Sequence, residues 1–330
     1  MFATVTAGLS RISGYRASTM MKGLLRATIV FLAAATCAGC ASQPAMHSLN
    51  GDDIPYVLRK PEGSGPFPAV VLMHDCSGVS VRYGSGIEDR WAQELVNQGY
   101  VTIMPDSFSG RGFPQGICKV QPKDRDTLKN VPLIRSQDAL GALAYLRTLS
   151  YVDGKRIGIM GGSNGGMSTV GTIAIQDQRV GPGNGFTAAV ALYPGCEGSW
   201  WQGVDVRRTP RTGQGPFIYS HAKPFNPGAP MLILAGELDD WTPAGFCKEL
   251  AKASEGSRYP ISIKVYPGAH HAFDTARPVS HNPQFANPYS EGGWGATTGG
   301  NPAAWADAEI QVRDFFARTL KRAEHASGGQ

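Results

Sequence analysis

Charge is scarce in this chain of 330 residues, of which 17% are Asp, Glu, Lys or Arg. The formal net charge of +5 owes most to Arg11, Arg16, Lys22 and Arg26, which lie among the first 40 residues, where there is no Asp or Glu. Beyond them stand 27 basic and 26 acidic residues. No clustered basic face remains for a nucleic acid to use, so no nucleic-acid partner is expected. Internal repeats and low-complexity blocks are absent too, which excludes a solenoid or a compositional tail. What is plentiful is hydrophobic material, at 42%. A chain of this length and composition buries ample core in one large domain or two small ones, and no second segment carries an apolar core pattern of its own.

The leader itself reads as an export signal. Lys22 and Arg26 precede an apolar stretch from Ala27 to Ala35, and small residues follow, ending in Ala38, Gly39 and Cys40. Such a stretch is too short for a bilayer span, which takes ~20 apolar residues. Met20 or Met21 could serve as the start equally well. The end of the segment resembles a bacterial lipobox, with Cys37 where that pattern usually has Leu. The resemblance implies lipidation of Cys40, membrane attachment through that lipid and, with Ala41 next in the chain, the outer membrane facing the periplasm. The expected organisation is therefore a signal over residues 1–40, a polar linker over 41–51 and one domain over 52–330.

Export makes the remaining cysteines, Cys76, Cys118, Cys196 and Cys247, candidates for disulfides, with three possible pairings. Cys76 and Cys118 follow neighbouring predicted strands, as do Cys196 and Cys247, which favours those two pairs over the other combinations. Four free buried thiols are the alternative.

Strands are predicted at Ile54–Arg59, Ala69–His74, Tyr100–Pro105, Arg156–Gly161, Ala188–Tyr193, Met231–Gly236 and Ile261–Tyr266. Several are continuous apolar runs, such as AVVLM and MLIL, which marks central strands covered on both faces. Helical patterns fill the gaps at Ile87–Gln98, Pro132–Leu149, Ser163–Gln176, Pro243–Ser254 and Pro302–Arg322. This alternation gives an α/β fold with a doubly wound, mostly parallel sheet. Two connections are unusually long, 195–229 with Trp200 and Trp201, and 274–301, rich in Gly, Asn, Ser and Pro. Connections of that length inside a compact domain are usually functional loops or disordered excursions.

The run GGSNGG, residues 161–166, follows the fourth predicted strand directly and sets Ser163 between Gly161 and Gly165. A serine becomes a useful nucleophile when a tight strand-to-helix turn thrusts its hydroxyl outward, and that turn needs glycines two positions before and after. Phosphate-binding loops are the rival reading. A Walker loop needs Lys followed by Ser or Thr where this chain has Met167, and the dinucleotide fingerprint needs glycine where it has Ser163. Two later strands then supply an acid and a base. Asp239 and Asp240 follow Gly236, just before Thr242 and Pro243 open a helix as cap and first residue. His270 and His271 follow the last predicted strand. Either Asp could instead only favour the helix N-terminus. The two histidines make a poor metal site, because adjacent side chains on extended backbone point apart and no third ligand has zinc-like spacing. The order Ser, Asp, His is that of the α/β-hydrolases.

Together the motifs HDCSG, PDSFSGRG, GGSNGG, YPGC, GELDDWTP and YPGAHHAFD resemble the dienelactone hydrolase family, an α/β-hydrolase branch, across roughly residues 54–322. The resemblance implies Ser163 as nucleophile, Asp239 as acid and His271 as base, with backbone amides of Asn164 and Cys76 forming the oxyanion hole. It implies hydrolysis of small-molecule esters or lactones without cofactor or metal. One departure is evident, since the namesake enzymes attack with a cysteine in the elbow. Asp75, Tyr193 and Trp241, with Trp200 or Trp201, are expected around the substrate. Arg111 could bind a substrate carboxylate or cap a helix. A peptidase or acyltransferase could use the same triad, and a non-catalytic envelope lipoprotein could keep the fold.

Overall fold

A computed structural model describes residues 45–79, 86–124, 131–197 and 224–321. The leader, Cys40, Trp200 and Trp201 lie outside these residues. Every one of the seven predicted strands forms: β1 (Tyr56–Arg59), β2 (Phe67–Met73), β3 (Val101–Pro105), β4 (Val152–Gly162), β5 (Ala188–Leu192), β6 (Met231–Gly236) and β7 (Ser262–Tyr266). They make one sheet in the order β1-β3-β2-β4-β5-β6-β7. Only β1 runs antiparallel to its neighbour, and β2 to β7 pair in parallel.

Parallel strands need crossovers, and five helices are described: α1 (Ile87–Asn97), α2 (Val131–Leu146), α3 (Asn164–Val180), α4 (Ala244–Ala253) and α5 (Pro302–Phe316). The continuous apolar runs are explained by cover on both faces. Along β2, Val71 and Met73 join Leu143, Ile173 and Leu250 of α2, α3 and α4 on one side. Val70 and Leu72 join Trp91, Leu95 and Phe316 of α1 and α5 on the other. Each such aliphatic side chain, once fully buried, contributes ~1.5 to 3 kcal/mol of hydrophobic free energy.

The sheet order also decides where a site can form. The chain leaves β2 for β3 on one side and returns to β4 on the other, so a crevice opens beyond the carboxyl ends of β2 and β4. Cys76 follows the first of these strands and Ser163 the second. Both favoured disulfides are present, Cys76–Cys118 and Cys196–Cys247, with Cα separations of 4.9 and 5.0 Å.

Three features differ from the sequence expectation. Within the presumed linker, Met46 is 1% exposed and packs in the core, while the Leu49 amide donates to Gln137 O on α2. Chain from Ala45 onward is thus built into the domain, and Gly141 is the reason, since a Cβ there would lie 2.1 Å from His47 O. The 274–301 connection is not featureless. It carries an antiparallel pair, β8 (Ser280–Ala286) and β9 (Trp294–Thr298), in a second sheet. Its sequence, SHNPQFA against WGATT, shows little apolar alternation because this hairpin covers the site rather than the main core. Finally, α4 begins at Ala244 with Pro243 at its cap position and no side-chain cap bond. Thr242, expected as that cap, is used elsewhere.

Candidate active site

Ser163 occupies the turn between β4 and α3, and its backbone is forced into φ 53°, ψ −120°. A non-glycine residue holds such a conformation only where its surroundings over-determine it. Here the packing is explicit: a Cβ on Gly165 would sit 1.9 Å from Met73 O, and one on Gly161 would sit 2.5 Å from the Gly165 carbonyl carbon. Strand and helix can therefore approach only through glycines. The Ser163 amide donates to Leu192 O at 2.9 Å, which fastens the turn to β5.

His271, the expected base, arrives from the far end of the sheet. Ser163 Oγ lies 2.8 Å from His271 Nε2, and His271 Nδ1 lies 2.8 Å from Asp239 Oδ2. The carboxylate facing Nδ1 fixes the tautomer that leaves Nε2 free to accept the serine proton. All three groups are buried, with Asp239 5% and His271 2% exposed. Asp239 Oδ1 accepts the amides of Trp241 at 2.9 Å and Thr242 at 2.8 Å, so its carboxylate is oriented before any chemistry occurs. Thr242 Oγ1 stands 2.9 Å from Asp239 Oδ2 and 3.0 Å from His271 Nδ1, a contact that motif reading had assigned to helix capping.

The adjacent candidates separate cleanly. Asp240 turns away and accepts the amide and hydroxyl of Thr297 on β9, both at 2.8 Å. His270 Nδ1 contacts Leu238 O at 3.1 Å. The hairpin also fixes His271 itself, because the Gly299 amide donates to His271 O at 3.0 Å. Among the described residues, the non-glycine residues with positive φ are Ser163, Tyr193 and Ala272, all in or beside this constellation.

Tyr193 packs its ring edge-on to His271 with centroids 4.8 Å apart, and its hydroxyl donates to the buried Asp274 Oδ1 at 2.8 Å. Trp241 lies 4.9 Å from the His271 ring and stacks on Phe285 of the hairpin at 4.4 Å. Asp75 accepts the amide of Ser77 at 2.7 Å, while its own amide donates to Glu88 Oε1 at 2.9 Å. These three expected pocket residues line a cavity of about 570 Å³ with Cys76, Ser163 and His271. A neighbouring cavity of about 330 Å³ also reaches Ser163 and includes Cys76 and Asn164. Asn164 is the first residue of α3, so its amide has no intrahelical carbonyl to bond and joins the positive end of the helix dipole.

Behind that corner stands Arg135, fully buried on α2, which the motifs did not reveal. Its guanidinium donates to Asn164 Oδ1 and to His74 O, tying the start of α3 to the loop after β2. Burial lowers the Arg135 pKa to about 10. Burial, reinforced by Arg135, also holds His74 well below its ordinary 6.5. Arg111, in contrast, is committed to structure: its guanidinium meets both oxygens of Asp138 at 2.8 Å and Asp52 at 2.9 Å, so it is not free for a substrate carboxylate.

A family model described as the dienelactone hydrolase family matches residues 54–320. The chain belongs to the dienelactone hydrolase family. Among curated relatives it is 25% identical over 245 residues to a Yersinia pestis protein provisionally named carboxymethylenebutenolidase, covering 74% of this chain and 81% of that one. It is 37% identical over 125 residues to the uncharacterised YcjY of Escherichia coli, covering 38% of this chain and 36% of the relative. A solved Klebsiella pneumoniae structure, provisionally named a dienelactone hydrolase, shares the fold with a TM-score of 0.51 at 19% identity, over 82% of this chain and 97% of that one. This member of the dienelactone hydrolase family is a hydrolase with the α/β-hydrolase fold, and it places a serine where its own elbow presents the side chain.

Proposed function

We propose that the protein hydrolyses carboxylic ester or lactone bonds of small molecules through an acyl-enzyme on Ser163. The observation that carries this reading is the continuous hydrogen-bonded array from Ser163 Oγ through His271 to Asp239. As Ser163 Oγ bonds to the carbonyl carbon, its proton passes to His271 Nε2, and Asp239 stabilises the imidazolium. Negative charge then gathers on the former carbonyl oxygen, where the amides of Asn164 and Cys76 are suited to receive it; loss of one such donor typically costs ~2.7 to 4 kcal/mol in the transition state. Collapse breaks the bond to the alcohol, which leaves with the proton from His271. Water repeats the sequence from the other side, giving its proton to His271 and its oxygen to the acyl carbon, and Ser163 is restored. In a lactone the alcohol remains attached to the acid released.

Export belongs to the same proposal. Two disulfides suit an oxidising compartment, and the leader with Cys40 supports attachment to the outer membrane on its periplasmic side. The N-terminal mass of protein isolated from membranes tests it: a start at Met1, Met20 or Met21 would reject processing.

Labelling with a fluorophosphonate tests the chemistry, together with release of nitrophenol from simple esters. Labelling is expected in the folded wild type and not in Ser163→Ala. A folded wild type that neither labels nor cleaves an ester or lactone would instead favour a binding protein on a hydrolase fold.

A further inference from the structure

His74 is the first residue after β2 and is wholly buried, its ring edge-on to Phe108 with centroids 4.7 Å apart. The Ser107 amide lies 3.2 Å from its Nε2. A backbone amide can only donate, so Nε2 holds a lone pair and the single ring proton is on Nδ1. That proton is donated to the Asp75 carbonyl oxygen, 2.7 Å from Nδ1. The tautomer is thus set by the loop after β3 and used on the loop after β2.

The Asp75 carbonyl and the Cys76 amide belong to one peptide group, which is planar. Holding its oxygen fixes the direction of its N–H, and a hydrogen bond accepted by the oxygen polarises the group and strengthens the N–H as a donor. Neighbouring links leave this peptide little freedom. The Asp75 amide donates to Glu88 Oε1, the Ile117 amide donates to Cys76 O at 2.7 Å, and the Cys76 sulfur is bonded to Cys118. Yet the Cys76 amide itself donates to no acceptor among the described residues. A backbone N–H without a partner is rare in a folded protein. This one is carried by a residue that lines both cavities containing Ser163. Arg135 joins the second expected donor to the same place, since it bonds Asn164 Oδ1 and His74 O.

We propose that His74 is a positioning residue for the oxyanion hole, holding and polarising the Asp75–Cys76 peptide so that the Cys76 amide meets the charge that gathers as Ser163 attacks. This rests on the ester-hydrolase reading of Ser163, which it deepens by naming a residue that acts through one of the donors. His74 is wholly buried and is not among the residues lining either cavity. Its effect therefore falls on the transition state and not on substrate binding, on kcat and not on KM.

Two amide side chains divide the two bonds of the imidazole. Gln reaches the place of Nε2, where its oxygen can accept the Ser107 amide, but it has no donor at the place of Nδ1. Asn carries its NH₂ at the place of Nδ1 and nothing at that of Nε2. With nitrophenyl acetate, His74→Gln should lose about tenfold in kcat while KM stays within about twofold of wild type, and His74→Asn should recover most of that loss. In denaturant melts the order reverses, because His74→Asn leaves the Ser107 amide unpaired. A residue that only fills the core would rank the two variants alike in both measurements, and a His74→Gln enzyme as fast as His74→Asn or faster overturns the proposal. A second measurement reads the wild type by nitrogen NMR of labelled histidine near neutral pH, with the His74 ring recognised by its proximity to Phe108. A proton on Nδ1 and a bare Nε2 are expected; a proton on Nε2 overturns the proposal whether or not either variant folds. Wild type that neither cleaves esters nor labels with fluorophosphonate would instead strike the ester-hydrolase reading, and with it the oxyanion that His74 serves.

Discussion

Ser163 and His271 reach the same point by different means. Ser163 is set by its immediate neighbours, with Gly161 and Gly165 admitting a backbone contact that no side chain could share. His271 is set by groups distant from it in the chain, namely Thr242, the amide of Gly299 just past the hairpin and the Trp241 ring wedged against Phe285. A turn closed by backbone packing fails as a fold defect when disturbed. A constellation held by side-chain bonds from a separate hairpin fails as an activity defect while the fold survives.

The largest expected effect ignores this division. Ser163→Ala should lower ester kcat/KM by at least about 10⁴-fold without loss of folding, since it removes the proposed nucleophile, on which both sides converge; a drop under tenfold would mean another group attacks. Gly165→Ala separates the two halves. Its new Cβ meets Met73 O, a backbone atom that cannot step aside. A stability loss of roughly 3 kcal/mol or more is expected in denaturant melts, and an unchanged midpoint would break the contrast.

Asp240→Ala acts on the other half. It frees Thr297 from the loop that presents Asp239, and kcat should fall about tenfold, while an exposed hydrogen-bonded pair of this kind contributes only ~1 kcal/mol to stability. Equal injury to both quantities would show that the hairpin is part of the folding core after all.

Acid should weaken the packing beside Ser163. His74 is wholly buried, its Nε2 accepts the Ser107 amide at 3.2 Å, and it resists protonation, whereas in the unfolded chain it takes a proton near 6.5. Its contribution to stability is therefore complete above about pH 6.5 and falls as pH drops below that, by up to ~1.4 kcal/mol per unit. Melts from pH 7 to 5 should be flatter in His74→Gln; identical slopes would remove His74 from the account.

Chain order made the sheet readable. AVVLM, MLIL and their companions announce central strands because both faces are covered, and each strand and helix forms close to where its pattern lies. GGSNGG was equally plain, for it encodes a local steric requirement. The later acid and base could be narrowed only to adjacent pairs by position, since Asp239 and Asp240, like His270 and His271, share the same strand ends. The hairpin at 280–298 was hidden by polar and proline-containing segments that pack over the site. Arg135 was hidden more deeply, as nothing in the periodicity of α2 distinguishes a buried charge from an ordinary surface one.

The sequence by itself determined the strands and helices, the mostly parallel sheet and the serine elbow, because periodicity and glycine placement act between neighbours along the chain. Only the tertiary structure set Asp239 Oδ2 against His271 Nδ1, as the family resemblance had implied, spent Arg111 on Asp138 and Asp52, and buried Arg135 between Asn164 and His74. Those outcomes depend on which way a side chain points and what lies opposite it, and that is fixed when distant strand ends meet.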